Sequence, residues 1–234
     1  MLDRLRLPGL GGWSEDPLWG GFYDWSVEHP NTGGLFWKLG LGSDLRLLYE
    51  AAAEIGRLPS GSAVLDVPSG GGVALRGVQP GQGLRYVAAD ISQLMLDRTM
   101  DAARERGVAD QIEPRITDVH QMTYEDGEFD LVVSFTGLHC FPDPHRAVLE
   151  MGRVTRPGGV LTGSAVLNDT GLRTALVRTV GRFSGLLGPG ATRAEVRAWM
   201  SEAGFTDITL MMSGGIGYFH GVRVGAEITT SDVN

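Results

Sequence analysis

A single cysteine, Cys140, excludes an internal disulfide and any metal site built from several thiolates. The fold must therefore hold itself together by burial, and a reducing cytoplasm is the expected setting. Long apolar runs are missing too. No stretch approaches the roughly 18 residues that span a bilayer, and the opening MLDRLRLPGLGG alternates charge with leucine and breaks at Pro8, so it carries no signal-peptide core. Positive charge is scarce: 20 Lys+Arg stand against 28 Asp+Glu, a net charge of -8, with no basic run, which argues against nucleic acid as the partner. What is present, 42% hydrophobic residues in a chain of 234, is enough for one large α/β core.

Residues 1–42 differ from the rest. Trp13, Trp19, Phe22, Tyr23, Trp25, Phe36 and Trp37 sit among Gly and Pro with no helical or strand period, the pattern of a lid over a domain. That domain is expected over 43–226, with 227–234 as a tail. Ser43 stands where it can cap a helix whose Leu45, Leu48, Ala52 and Ile55 recur at spacings of three and four. Ala63-Val64-Leu65-Asp66-Val67 then reads as a buried strand running into Pro68-Ser69-Gly70-Gly71-Gly72. Strands are predicted again at Arg85 to Asp90, Ile112 to Thr117, Asp130 to Phe135 and Val160 to Leu167, alternating with helices, one of them opening at Ser92 and another running from Pro144. The last two strands, Thr206 to Met212 and Tyr218 to Ala226, are too closely joined for a crossover helix and should be antiparallel. The fold class is therefore α/β: a Rossmann-like, doubly wound, seven-stranded sheet, mostly parallel with an antiparallel C-terminal strand, and a ligand crevice beyond the carboxyl ends of its strands.

Asp66, Asp90 and Asp118 each fall at or just past the end of a strand, so three acids face one crevice. Glycines after Asp66 allow a ligand close to exposed backbone N–H groups, or simply a tight turn between strand and helix. A dinucleotide turn is disfavoured, because the third glycine position is Leu75. Asp90, 24 positions after Asp66, can accept from a ribose diol or merely begin the next helix.

VLDVPSGGG, YVAADISQLML, ITDVHQM, GEFDLVVSFTGLHCF and LEMGRVTRPGGVL resemble, in order and spacing, the class I S-adenosylmethionine-dependent methyltransferases, over about residues 43 to 226. The small-molecule branch, with its quinone-biosynthesis and natural-product enzymes, is the most similar. The resemblance implies S-adenosylmethionine as cofactor and a small-molecule acceptor. It places the methionine half on Asp66 and the backbone of Ser69, Gly70 and Gly72, with Ser134 and Phe135 at its amino end. Asp90 would take the ribose, Ile91 and Met95 would pack near ribose and adenine, and Asp118 and Val119 would meet the adenine edge. Pro68 departs from the usual glycine and removes one backbone donor.

Tyr23, in FYDWS, resembles a lid tyrosine that reaches the cofactor. His139, just past the fourth strand, is either a general base for the acceptor or part of the pocket wall. The remaining histidines read as mouth, surface or packing, and no metal site is expected. The motifs of DNA-adenine and DNA-cytosine enzymes are absent, while protein acceptors stay open. A nucleotide-dependent oxidoreductase and a non-catalytic cofactor-binding module are the competing readings.

Overall fold

The computed structural model describes residues 34–35, 37–183 and 185–225. The aromatic residues before Gly34, Tyr23 among them, lie outside the described residues, as do Phe36 and the tail. Helix α1 covers Arg46–Ala52, followed by strand β1 (Ala63–Asp66), strand β2 (Arg85–Asp90), helix α2 (Gln93–Glu105) and strand β3 (Ile112–Ile116). Strand β4 (Phe129–Phe135), helix α3 (Pro144–Val154), strand β5 (Thr155–Val166), helix α4 (Gly171–Phe183), helix α5 (Arg193–Glu202), strand β6 (Phe205–Ser213) and strand β7 (Ile216–Arg223) complete the set.

The strands form one seven-stranded sheet in the order β3-β2-β1-β4-β5-β7-β6. Pairs from β3 through β5 are parallel, whereas β7 runs antiparallel between β5 and β6. The chain reverses its direction of travel across the sheet between β1 and β4, the switch point at which such folds open a crevice. Residue parity divides the interior. Val64, Tyr86, Ala88, Leu131 and Val133 pack on one face with α1 and α2, while Leu65, Val87, Val132 and Leu161 pack on the other with α3 and α5. Burial on both faces is why these strands read as continuous apolar runs.

Leu45, Leu48, Ala52 and Ile55 are all buried, as their spacing requires. The two predicted serine caps differ from expectation. Ser43 Oγ bonds Ser213 Oγ at 3.1 Å, and it is Asp44 that accepts from the Arg46 N–H at 3.0 Å. Ser92 occupies the cap position of α2 without a side-chain cap bond. Elsewhere the local chemistry is direct: Asp143 accepts from the Arg146 N–H at the start of α3, with Pro144 in the first turn, and Thr192 and Glu195 cap α5 reciprocally. Arg153 of α3 donates to the carbonyls of Met122 at 2.9 Å and Tyr124 at 2.8 Å, which fastens the loop after β3 to the helix.

Residues Trp37–Leu41 form a single wide helical turn with Trp37 buried, and the Leu41 carbonyl accepts from the Gly215 N–H at 2.7 Å in the β6–β7 turn. This part of the predicted lid is thus tied to the sheet. Helix α4 exposes several of its described apolar residues. Thr174 and Gly181 are buried, while Leu176, Val180 and Phe183, at spacings of four and three, are 70%, 52% and 88% exposed.

Candidate functional site

The crevice is built from four neighbouring strand ends. Asp66 closes β1 and is 1% exposed; its carboxylate accepts from the Tyr86 hydroxyl at 2.8 Å. Burial pushes the Asp66 carboxyl up from 3.8 to about 8, opposed by the Tyr86 bond, with the Asp90 charge adding to the rise. Asp90 closes β2, nearly as buried. One of its oxygens accepts from the Gly70 N–H at 3.0 Å and the other from the Ser92 N–H at 2.9 Å. Burial raises this carboxyl as well, against the pull of those N–H groups.

Between the two acids runs the glycine loop, entered through a cis Val67–Pro68 peptide. Gly70 and Gly72 have φ of 53° and 84°, left-handed values that disfavour a side chain. A Cβ at Gly72 would also press on Leu75, Thr99 and Ala102, so glycine lets α2 close on the loop. The Ser69 N–H bonds the Ala89 carbonyl at 2.9 Å, and Thr99 Oγ1 donates to the Gly70 carbonyl at 2.7 Å. Across the switch point, Ser134 in β4 lies one position past Val133, the register partner of Asp66. Its hydroxyl is fully buried and without a hydrogen-bond partner. An unpaired buried hydroxyl costs about 1–3 kcal/mol, so such a group is a place where a ligand atom is expected.

A Cβ on Gly137 would sit 2.2 Å from Pro68 Cδ and 2.9 Å from Ser134 Oγ. Gly137→Ala is therefore expected to destabilise the protein by roughly 1–3 kcal/mol, and a thermal unfolding midpoint equal to that of the unaltered chain would refute this packing account. Just before it, Thr136 holds φ of 54°, a strained value for a β-branched residue at the mouth of the crevice.

At the fourth strand end the acid behaves differently. Asp118 follows β3 in an exposed turn, where Oδ1 accepts from the His120 N–H at 2.9 Å and from His120 Nδ1 at 2.7 Å. The His120 backbone, then its ring, hold this carboxyl below the usual range and keep it ionised. Val119 beside it is buried, as are Met95, Ser69 and Phe135, whereas Ile91 is 65% exposed next to Asp90.

His139 is the residue read above as either a general base or part of the pocket wall. Its Nδ1 accepts from the Val166 backbone N–H at 3.1 Å, so in the neutral ring the proton is on Nε2 and the only lone pair is already used. Burial lowers its pKa from 6.5 to about 4, and the ring borders a small cavity with Asn168, Arg178 and Arg182. Among the described residues no cluster of His, Cys, Asp and Glu is able to hold a metal ion, and no helix is long and apolar enough to cross a membrane.

Sequence reasoning overlooked Tyr86, Thr99 and Gly137. Tyr86 had a signal: it bears the one side-chain hydroxyl of its strand, next to the apolar run Val87-Ala88-Ala89, and a buried O–H must find a partner. Thr99 and Gly137 had none, since their roles depend on which segments meet.

A family model described as a methyltransferase domain matches residues 65–162. A ubiquinone/menaquinone biosynthesis C-methyltransferase from Hydrogenovibrio crunogenus is 32% identical over 118 residues, covering 50% of this chain and 46% of the relative. A phosphatidylethanolamine N-methyltransferase from Cereibacter sphaeroides is 32% identical over 129 residues, 55% of this chain and 63% of the relative. The chain thus spans about half the length of the curated relatives it matches. A possible exported protein from Bordetella parapertussis superposes with a TM-score of 0.73 at 19% identity, over 92% of this chain and 80% of that one, a likeness of fold.

Proposed function

We propose, from the premise that this chain carries a class I S-adenosylmethionine-dependent methyltransferase domain, that it transfers a methyl group to an O, C or N atom of a small apolar or aromatic metabolite. The observation that carries this reading is the row of acceptors along four adjacent strand ends: Ser134, Asp66, Asp90 and Asp118, on β4, β1, β2 and β3 or the turn after it. Adjacent strands are about 4.8 Å apart, so the row spans roughly 14 Å and suits an elongated ligand. The donor set fits the cofactor. Asp66 and the unpaired Ser134 hydroxyl ask for a cationic donor, which an amino-acid ammonium supplies. Asp90 retains a second lone pair on each oxygen for a ribose diol, and Asp118 Oδ2 can accept from the adenine amino group beside Val119.

When bound, the sulfonium supplies an activated methyl group with its own leaving group. The residues of this chain then have positioning to do. The Gly70–Gly72 loop and Asp66 fix the amino-acid end, Asp90 fixes the sugar, and Ile91 and Met95 flank the ring system. Phe135, Thr136 and the His139 wall border the side from which an acceptor approaches. With no free base at His139, an acceptor that must lose a proton is better served if it is already acidic.

The apolar acceptor and the lid over 1–42 belong together in this proposal. The names of the two curated relatives refer to ubiquinone/menaquinone biosynthesis and to phosphatidylethanolamine. Among the described residues, the outward stripe Leu176, Val180 and Phe183 offers apolar surface of its own. Isothermal titration with S-adenosylmethionine, S-adenosylhomocysteine and NAD(P) tests the cofactor. Tight NAD(P) binding with no response to the other two overturns the reading. A panel of acceptors followed by S-adenosylhomocysteine release then tests turnover, and binding without turnover on any acceptor favours a purely binding module.

A further inference from the structure

We propose that His120 is the positioning residue of the adenine subsite, holding Asp118 in the one orientation from which its free oxygen meets the 6-amino group; this rests on the cofactor reading above. The turn that carries Asp118 closes with the Gln121 N–H on the Asp118 carbonyl at 3.0 Å, and the Asp118 side chain folds back onto the His120 N–H, a common local motif. Unlike most such turns, this one has a second donor on the same oxygen. His120 Nδ1 lies 2.7 Å from Oδ1, while the Asp143 backbone N–H, at the start of α3, points at His120 Nε2 from 3.3 Å.

A backbone N–H can only donate, so Nε2 accepts and the ring proton is on Nδ1, directed at the carboxylate. The tautomer is thus set by α3. The ring is also held edge-on against Phe141 at 6.1 Å between centroids, and its side chain is only 15% exposed. An exposed carboxylate on a turn would ordinarily sample several rotamers; two donors on Oδ1, the His120 backbone N–H and the Nδ1–H of its clamped ring, leave one, with no described hydrogen bond on Oδ2. The His120 ring therefore joins the turn that reads the base to the loop that carries His139 and Phe141.

The role predicts a change in selectivity for the base. S-adenosylhomocysteine offers a 6-amino donor to Asp118, whereas S-inosylhomocysteine presents a carbonyl there. Titration of the unaltered chain with both should show a preference for the adenosyl compound. In His120→Ala that preference should shrink about tenfold, with the affinity for S-inosylhomocysteine little changed. His120→Asn keeps an N–H donor on the atom equivalent to Nδ1, so it should retain the preference within about threefold. The Asp143 N–H, on an exposed residue, can turn to water. If His120→Ala does not fold, His120→Phe fills the same space without a nitrogen and carries the same expectation. An unaltered ratio in these variants, or an equal loss for both compounds, overturns the positioning role while leaving the cofactor reading intact. Failure of the unaltered chain to bind either compound overturns both.

Discussion

Asp66→Asn is expected to unfold at a higher temperature than the unaltered chain at pH 8 and to lose S-adenosylhomocysteine binding. The folded protein holds the Asp66 carboxyl near 8 where an unfolded chain has it at 3.8. The sign follows directly. Below 3.8 both states are protonated and the group costs nothing; between 3.8 and about 8 the unfolded chain ionises while the folded one keeps its proton, so stability falls as pH rises through that window and levels off above it. For a fully buried group the penalty at pH 8 is on the order of several kcal/mol.

Asparagine removes that penalty, because it mimics the protonated acid and still accepts from the Tyr86 hydroxyl. It also removes the negative charge that an ammonium group requires. Binding to the unaltered chain should release a proton below pH 8 and so tighten with rising pH, by up to about tenfold per pH unit between 6 and 8, whereas the variant should show neither affinity nor slope. Thermal unfolding across pH 5–9 and titration calorimetry at each pH measure both halves. A variant that is less stable at pH 8 and still binds would overturn the assignment of Asp66 as a protonated, ligand-responsive acid.

The neighbouring acid should respond in the opposite way to the same substitution. Asp90 accepts one backbone N–H on each oxygen, so an asparagine there must aim its own NH2 at a donor, whichever way it turns. Asp90→Asn should accordingly be about as damaging as Asp90→Ala. Each should cost roughly 2–4 kcal/mol of stability by leaving a buried N–H unpaired, and weaken S-adenosylhomocysteine by one to two orders of magnitude through the lost ribose contacts and the loosened Gly70 turn. Calorimetry and thermal unfolding of the two variants side by side give the answer. If Asp90→Asn melts and binds like the unaltered protein, the carboxylate holds neither the loop nor the sugar.

These contrasts mark where reading the chain stops being sufficient. The alternation of apolar runs with amphipathic segments specified the strands and most helices, because hydrophobic period is a local property: Arg85–Asp90 is observed at its predicted bounds, and the close-set final strands are antiparallel for want of room to cross over. The same text placed an acid at three successive strand ends. It did not say that Asp66 would be sealed under a tyrosine, that Asp90 would bind the glycine loop, or that Asp118 would stand exposed under a histidine.

The first two of those differences arise from contacts between residues 20 apart in sequence, Tyr86 with Asp66 and Gly70 with Asp90, and although Asp118 meets His120 only two positions on, the bond that orients the His120 ring comes from the distant Asp143. His139 shows the same limit, since only the folded chain brings the Val166 N–H onto its lone pair. Period and composition determined the sheet, its order of elements and the glycine elbow, because each depends on neighbours along the chain. Which carboxyl keeps its proton, which nitrogen is free and which hydroxyl goes unpaired were decided by tertiary structure alone, because desolvation and hydrogen-bond partnership depend on what packs around an atom.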